Sequence, residues 1–330
     1  MKIFRQISKI LIGFAILILS IIIIGFAYEH ISRYRLNDRY HPDGSFAELE
    51  NHKLHYIKKG SGGPTVIFES GLDPGGHLPW FKIQDEISKF TTTISYDRAG
   101  VLWSERGDNP KTGDAMSKEL YDLLIKSDCP KPYIVVGHSL AGLFLRSFIE
   151  DHKSDISGIV FVDVSHPEQN IRRPKNLESL SKFQSSSLIR FANSTGLLRL
   201  FYRNTYPNTS KEDSINLIVH TLFYKGISTF IEEQNSLGNL LEESKPRYSF
   251  DSIPLRIITG TSINKYLEIK DPKLRNEFMD YKFSLQKDLL NESKNSSLIC
   301  ATKSGHYIQL EQPEIVISTI KCLLLGKTNK

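Results

Sequence analysis

The stretch Tyr133-Ile134-Val135-Val136-Gly137-His138-Ser139-Leu140-Ala141-Gly142 runs an apolar β-branched segment straight into an apolar helical one through Gly-x-Ser-x-Ala-Gly. A serine at such a junction sits on a crowded turn, so the residues two before and two after it must be small for strand and helix to approach. The turn pushes the hydroxyl outward. The first free N–H groups of the helix then point at any oxyanion that forms beside it. A strand with no polar face also needs cover on both sides, as in a parallel sheet between helices.

The rest of the chain repeats this alternation. Further short β-branched runs fall at 53–57, 65–68, 92–96, 158–162, 255–259 and 297–301. Helical patterns stand between several of them, at 80–90, 114–127, 140–151, 271–291 and 313–325. Interleaved strands and helices predict an α/β fold with a mostly parallel sheet and helices on both faces. Residues 166–250 break the rhythm: amphipathic helical patterns at 177–202 and 211–237 occur with no convincing strand. An insertion of that kind reads as a helical cap. No internal repeat or low-complexity tract is evident.

The N-terminus imposes a second constraint. Ile10 to Tyr28 are nineteen residues without a charge, long enough as a helix to cross a hydrocarbon core about 30 Å thick. We read 1–9 as a short basic leader, 10–28 as a retained transmembrane anchor, 29–45 as a juxtamembrane linker and 46–330 as the folded domain. Gly25-Phe26-Ala27 has the form of a signal-peptidase site, so a secreted, cleaved product is the alternative. The net charge of +5 belongs to this end. Residues 1–40 hold six basic and two acidic groups, whereas the remainder holds 36 and 35. A nearly neutral domain excludes a nucleic-acid partner in favour of a membrane one. With the bulk of the chain behind the span, the leader is expected to be cytoplasmic and the domain extracytoplasmic. Cys129, Cys300 and Cys322 have no metal-site spacing, and a Cys300–Cys322 bridge has no support in the pattern. Sequons at Asn193, Asn208, Asn291 and Asn295 matter only in a glycosylating cell.

Ser139 needs a base to become a nucleophile. His306, in Ser304-Gly305-His306-Tyr307, follows the last strand on a glycine loop and is the candidate; His77 and His166 are alternates, and His138 is structural. An oxyanion hole needs two N–H groups. Leu140 supplies one after the serine, and Leu72, in the loop Glu69-Ser70-Gly71-Leu72-Asp73-Pro74-Gly75-Gly76, is the candidate for the other. Asp97 and Arg98 read as a structural ion pair or loop organiser. Phosphate-loop, zinc-protease and Cys-x-x-Cys patterns are missing, and Gly60-Ser61-Gly62-Gly63 breaks the dinucleotide fingerprint at Pro64, so no cofactor or metal is implied.

Taken in order, the Glu69–Leu72 loop, Tyr96-Asp97-Arg98-Ala99-Gly100, the Ser139 turn and Ser304-Gly305-His306 resemble the α/β-hydrolase fold superfamily, of the lipase, esterase and peroxidase-like type. The resemblance covers roughly 46–325. It implies an eight-stranded sheet, a cap after the sixth strand and a Ser-His-acid triad. Serine rather than aspartate at 139 argues against the dehalogenase and epoxide-hydrolase branches. Ala141 stands where the pattern has its second glycine. The acid usually follows the seventh strand, yet Gly260-Thr261-Ser262-Ile263-Asn264 has no carboxylate, and Glu268 and Asp271 come only later. Asp163, 24 residues after Ser139 at the end of the sixth strand, resembles the acid position of pancreatic-type lipases and is favoured over those two. The expected function is hydrolysis of a carboxylic ester with an apolar acyl chain, the substrate being a small molecule or lipid. A peptidase or amidase on the same residues and a non-catalytic binding protein are the rivals.

Overall fold

The computed structural model describes residues 2–37, 39–181, 185–202, 206–210, 213–245 and 249–326. Its helices are α1 (Lys2–Asn37), α2 (Phe81–Ile87), α3 (Gly113–Lys126), α4 (Ala141–Asp151), α5 (Ser186–Ser194), α6 (Leu197–Phe201), α7 (Ser214–Ser244), α8 (Pro272–Asp288), α9 (Ile308–Glu311) and α10 (Pro313–Leu324). The strands are β1 (Ser45–Glu48), β2 (Lys53–Lys59), β3 (Thr65–Glu69), β4 (Thr93–Tyr96), β5 (Tyr133–His138), β6 (Ile156–Val162), β7 (Leu255–Gly260) and β8 (Ser296–Ala301).

These strands form one sheet in the order β1-β2-β4-β3-β5-β6-β7-β8. The β1/β2 and β2/β4 pairs are antiparallel and all others parallel. Side chains alternate across the sheet. Ile67, Tyr133 and Val135 join the core under α3 and α4, whereas Val66, Phe68, Ile134 and Val136 join the one under α2 and α10. The chain order reverses between β3 and β5. The carboxyl ends of those two adjacent strands therefore diverge into the crevice where open α/β sheets take ligands.

β1 was not expected, because Ser45–Glu48 has only Ala47 buried and lacks a β-branched run. It pairs as an edge strand through backbone bonds that composition does not encode. Between β6 and β7 the cap is helical, with a 3-10 turn at Lys175–Ser181 followed by α5, α6 and α7. Of the expected cap helices, 182–184 and 211–212 lie outside the described residues, as do Met1 and 327–330 of the expected leader and domain.

The N-terminal helix is longer than the predicted span. It continues without a break through 29–37, the first part of the stretch 29–45 read as a linker, because Glu29 is buried and bonded to Arg33 one turn on and to Arg199 of the cap. α1 is long and apolar enough to cross a membrane, with a mean hydropathy of 3.1 in its most apolar 18-residue window. Cys129, Cys300 and Cys322 are all free thiols.

Candidate active site

β5 is buried along its whole length and delivers Ser139 in a left-handed conformation, φ +56°. That region is costly for a residue with a side chain and persists only where neighbours enforce it. Here Ser139 N–H donates to Val162 O (3.3 Å), and Ser139 O accepts from Gly142 N (3.1 Å) and Ser165 N (2.8 Å). The turn is thereby fastened to the end of β6. The small-residue requirement falls on Gly137 and Gly142. A Cβ on Gly142 would lie 2.5 Å from Val164 Cβ and 3.0 Å from Ser165 O. Ala141 carries its methyl because the tightest approach is one residue further on.

His306 leaves the loop after β8 and places Nε2 2.9 Å from Ser139 Oγ and Nδ1 2.7 Å from Asp163 Oδ2. The loop is braced from behind. Gly305 N donates to Glu311 Oε2 (2.7 Å), and Lys303 N and Ser304 Oγ donate to Gln312 Oε1 (2.8 and 3.0 Å). His138 donates from Nε2 to His306 O at 2.9 Å. Burial, reinforced by the neighbouring His306, pulls the His138 pKa down to about 3, so it serves as a neutral strut.

Asp163 also has a positive φ, +50°, and is fully enclosed. Oδ1 accepts from Gly260 N (3.1 Å) and Thr259 Oγ1 (3.2 Å) and meets Lys282 Nζ at 2.6 Å. Burial alone would raise this carboxyl, but Lys282 and His306 outweigh it and hold the pKa well below the usual carboxylate range. The end of β7, which lacks a carboxylate of its own, thus furnishes donors for the one from β6. Asp271 instead caps α8, accepting from Lys273 N at 2.9 Å. Glu268 lines a cavity of about 420 Å³ beside Asp163, Tyr266, Phe278, Lys282 and His306.

The Glu69–Gly76 loop lies against the serine turn. A Cβ on Gly71 would stand 2.6 Å from Ser139 Cβ and 3.0 Å from Leu140 N. Arg98 fixes the loop from the other side, bonding Ser70 O and, at 2.7 Å, Gly71 O. A trans peptide turns Leu72 N–H to the side opposite the Gly71 carbonyl. Arg98 is itself held by Glu69 Oε1 (2.6 Å) and by both oxygens of Glu233 from α7 (2.9 Å each). Of the two expected roles, an ion pair between Asp97 and Arg98 does not form, whereas Arg98 does organise the loop, and Asp97 accepts from His55 Nδ1 (2.9 Å) and His77 Nδ1 (2.8 Å). Adjacent residues leaving a strand point to opposite sides, which sends the two charges to different partners.

His77 is therefore spent on Asp97, and His166 faces Asp288 at 3.2 Å. Among the described residues, His55, His77 and Asp97 form one cluster with metal-ligand spacing and His166, Glu168 and Asp288 another. In the first, both Nδ1 atoms are engaged by the Asp97 carboxylate and His55 Nε2 by Asp43 O, so hydrogen bonds account for the cluster. Lys282 and Glu233 carried no sequence signal, and Glu69 stood out only as the start of its loop, not as a partner of Arg98. Lys282 is one of several lysines on α8, and only the packing of α8 against β7 selects it.

A family model for the alpha/beta hydrolase fold matches residues 64–221. The sheet order, the serine turn and this match decide the question. The chain has the α/β-hydrolase fold. Uncharacterized protein YbdG of Bacillus subtilis is 26% identical over 175 residues, 52% of this chain and 53% of that one. The chain spans about half or less of the curated relatives it matches. Among solved structures, an esterase from Thermogutta terrifontis superposes with TM-score 0.58 at 15% identity, covering 87% of this chain and 100% of that one. An epoxide hydrolase from Bacillus megaterium superposes with TM-score 0.63 at 18% identity, covering 85% and 100%. At those identities the superpositions speak to the hydrolase fold alone.

Proposed function

We propose that this hydrolase-fold chain is a serine esterase acting on carboxylic esters with apolar acyl chains. The observation that carries the reading is the unbroken chain Ser139 Oγ to His306 Nε2, His306 Nδ1 to Asp163 Oδ2, at 2.9 and 2.7 Å. Ser139 Oγ attacks the ester carbonyl carbon while His306 Nε2 takes its proton. The tetrahedral oxyanion is held by the N–H groups of Leu140 and Leu72. Collapse breaks the bond to the alcohol oxygen, which receives the proton from His306. Water, deprotonated by the same imidazole, then releases the acid from the acyl-serine. Asp163 stays ionised and orients the ring. A serine at 139 supports ester over epoxide chemistry.

We propose further that α1 spans a membrane once and is retained, with the catalytic domain on the extracytoplasmic side. The supporting observations are its length, its hydropathy and the Glu29–Arg199 bonds that join it to the cap.

A fluorophosphonate probe applied to membranes tests both readings. The expected result is a labelled band that stays in the pellet after alkaline carbonate washing and vanishes in Ser139→Ala. No labelling of the wild type, or labelling that survives in Ser139→Ala, overturns the esterase reading; a labelled band in the supernatant overturns the anchor. Turnover of p-nitrophenyl esters of increasing chain length, set against peptide amides, tests the substrate class. A preference for the amides overturns it.

A further inference from the structure

The cap is joined to α1 at one particular height. A Cβ on Gly25 would lie 2.5 Å from Thr195 O, and Gly196, at φ +75°, brings the turn between α5 and α6 against Gly25 and Glu29. Glu29, 1% exposed, accepts from Arg199 Nε and Nη2 at 2.8 and 2.9 Å and from Arg33 Nε at 2.9 Å. Arg33 Nη2 donates to Asn193 O at 2.6 Å. Residues 193–199 thus run beside residues 25–33. Gly25 belongs to the uncharged stretch and Glu29 is the first charge after it. The α5–α6 corner therefore stands where the helix passes from hydrocarbon-compatible to polar, which is where a bilayer ends.

On the two helices that flank this contact the cap exposes Leu188 (60%) and Phe191 (44%) on α5 and Leu200 (59%) and Phe201 (78%) on α6. Leu188 and Phe191 are three apart on α5, and on α6 Leu200 and Phe201 follow the exposed Leu197 (38%) at i+3 and i+4, the spacings that place side chains side by side on a helix. Arg190 on α5 and Arg35 on the polar end of α1 are exposed, as suits a lipid headgroup layer.

We propose that the α5–α6 corner of the cap is a bilayer-contact surface, with Leu188, Phe191, Leu200 and Phe201 seated in the headgroup–acyl boundary of the membrane that α1 crosses. The inference rests on the reading of α1 as a membrane span. Its occupant is a phospholipid bilayer because the patch is continuous with the apolar helix it is bonded to. The cap then sits on the membrane, and an apolar ester reaches the Ser139 crevice from the lipid side.

The test uses the full chain in phosphatidylcholine vesicles with and without a dibrominated phosphatidylcholine that quenches tryptophan at the acyl level. Phe201→Trp reports on the corner, Leu200→Trp repeats the measurement should the first variant misfold, Ile21→Trp reports on the span, and Phe90→Trp, 59% exposed near the end of α2, is the reference. Wild-type fluorescence from Trp80 and Trp103 is subtracted. The expected result is quenching at Phe201→Trp of about half or more of that at Ile21→Trp, with little at Phe90→Trp. Quenching at Ile21→Trp, with none at either corner variant beyond that at Phe90→Trp, overturns the contact and leaves the span standing. A corner tryptophan shielded from aqueous quencher but untouched by bromolipid assigns the patch to a protein partner or second copy and also overturns it. An unquenched Ile21→Trp removes the span, and the inference falls with it.

Discussion

Lys282 Nζ stands 2.6 Å from Asp163 Oδ1, while the other oxygen of the same carboxylate holds His306 Nδ1 at 2.7 Å. One acid is shared between a permanent cation and the imidazole. Lys282 also donates to Gly260 O at 2.7 Å, so it fastens α8 to the end of β7 as well.

Lys282→Met should therefore weaken the fold and alter its acid response together. Asp163 has a pKa depressed by folding, so it contributes stability above the unfolded carboxylate range, and that contribution is lost as pH falls through the folded value. Without Lys282 the folded value rises, so the contribution is smaller and is fully lost at a higher pH. Removing one partner of a buried pair costs about 3 kcal/mol near neutral pH. Urea unfolding at pH 7 and an acid titration followed by circular dichroism measure both effects. Lys282→Arg should restore most of the stability, and an acid midpoint unchanged in Lys282→Met would refute the argument.

The choice of acid has its own measurement. Asp163→Asn should lower kcat by about 10⁴, since the amide no longer fixes the tautomer of His306 that accepts a proton at Nε2. Glu268→Gln and Asp271→Asn should stay within a few-fold of wild type, the latter keeping its helix cap because asparagine accepts from Lys273 N as aspartate does. Ester hydrolysis at saturating substrate decides, and the reverse ranking would reject Asp163.

Gly71 and Gly142 both abut the serine turn but should fail differently. A methyl at Gly71 meets Ser139 Cβ and Leu140 N, so Gly71→Ala displaces the loop that presents Leu72 and should cost about 10²-fold in kcat. A methyl at Gly142 meets Val164 on β6's exit loop, and Gly142→Ala should cost about 1–3 kcal/mol of stability from overpacking. Thermal melts paired with kcat separate the two. Equal losses of activity per degree of Tm would contradict the distinction.

Arg98 joins the ends of β3 and β4 to the cap through Glu69 and Glu233. Burial already pushes the Glu69 carboxyl up despite the guanidinium beside it. Arg98→Met leaves two enclosed carboxylates without their cation, a loss of about 3–5 kcal/mol. Tm should fall on the order of 10 °C, and kcat with it, because the Gly71 carbonyl loses its anchor. Adding Glu69→Gln and Glu233→Gln to Arg98→Met should recover part of the stability; no recovery would deny the charge argument.

What the sequence determined by itself is local. Apolar β-branched runs of strand length, amphipathic stretches between them, and small residues around Ser139 dictate seven of the eight strands, the sharp turn and the helix after it, because period and sterics act over a few residues. β1 escaped because an edge strand with one buried residue is specified by its partner. The candidacies of Ser139 and His306 were legible from their places after strands. Tertiary structure alone decided which carboxylate reaches His306, since Asp163 is 143 residues away in the chain and Asp271 only 35. It also decided that β7 supplies an amide and a hydroxyl donor to Asp163, that Lys282 and not another α8 lysine meets that carboxylate, and that Glu233 crosses from the cap to Arg98. Those pairings are set by how a twisted parallel sheet stacks its carboxyl ends side by side. A buried charge takes its partner from whatever that stacking brings within 3 Å, and no local pattern records the distance.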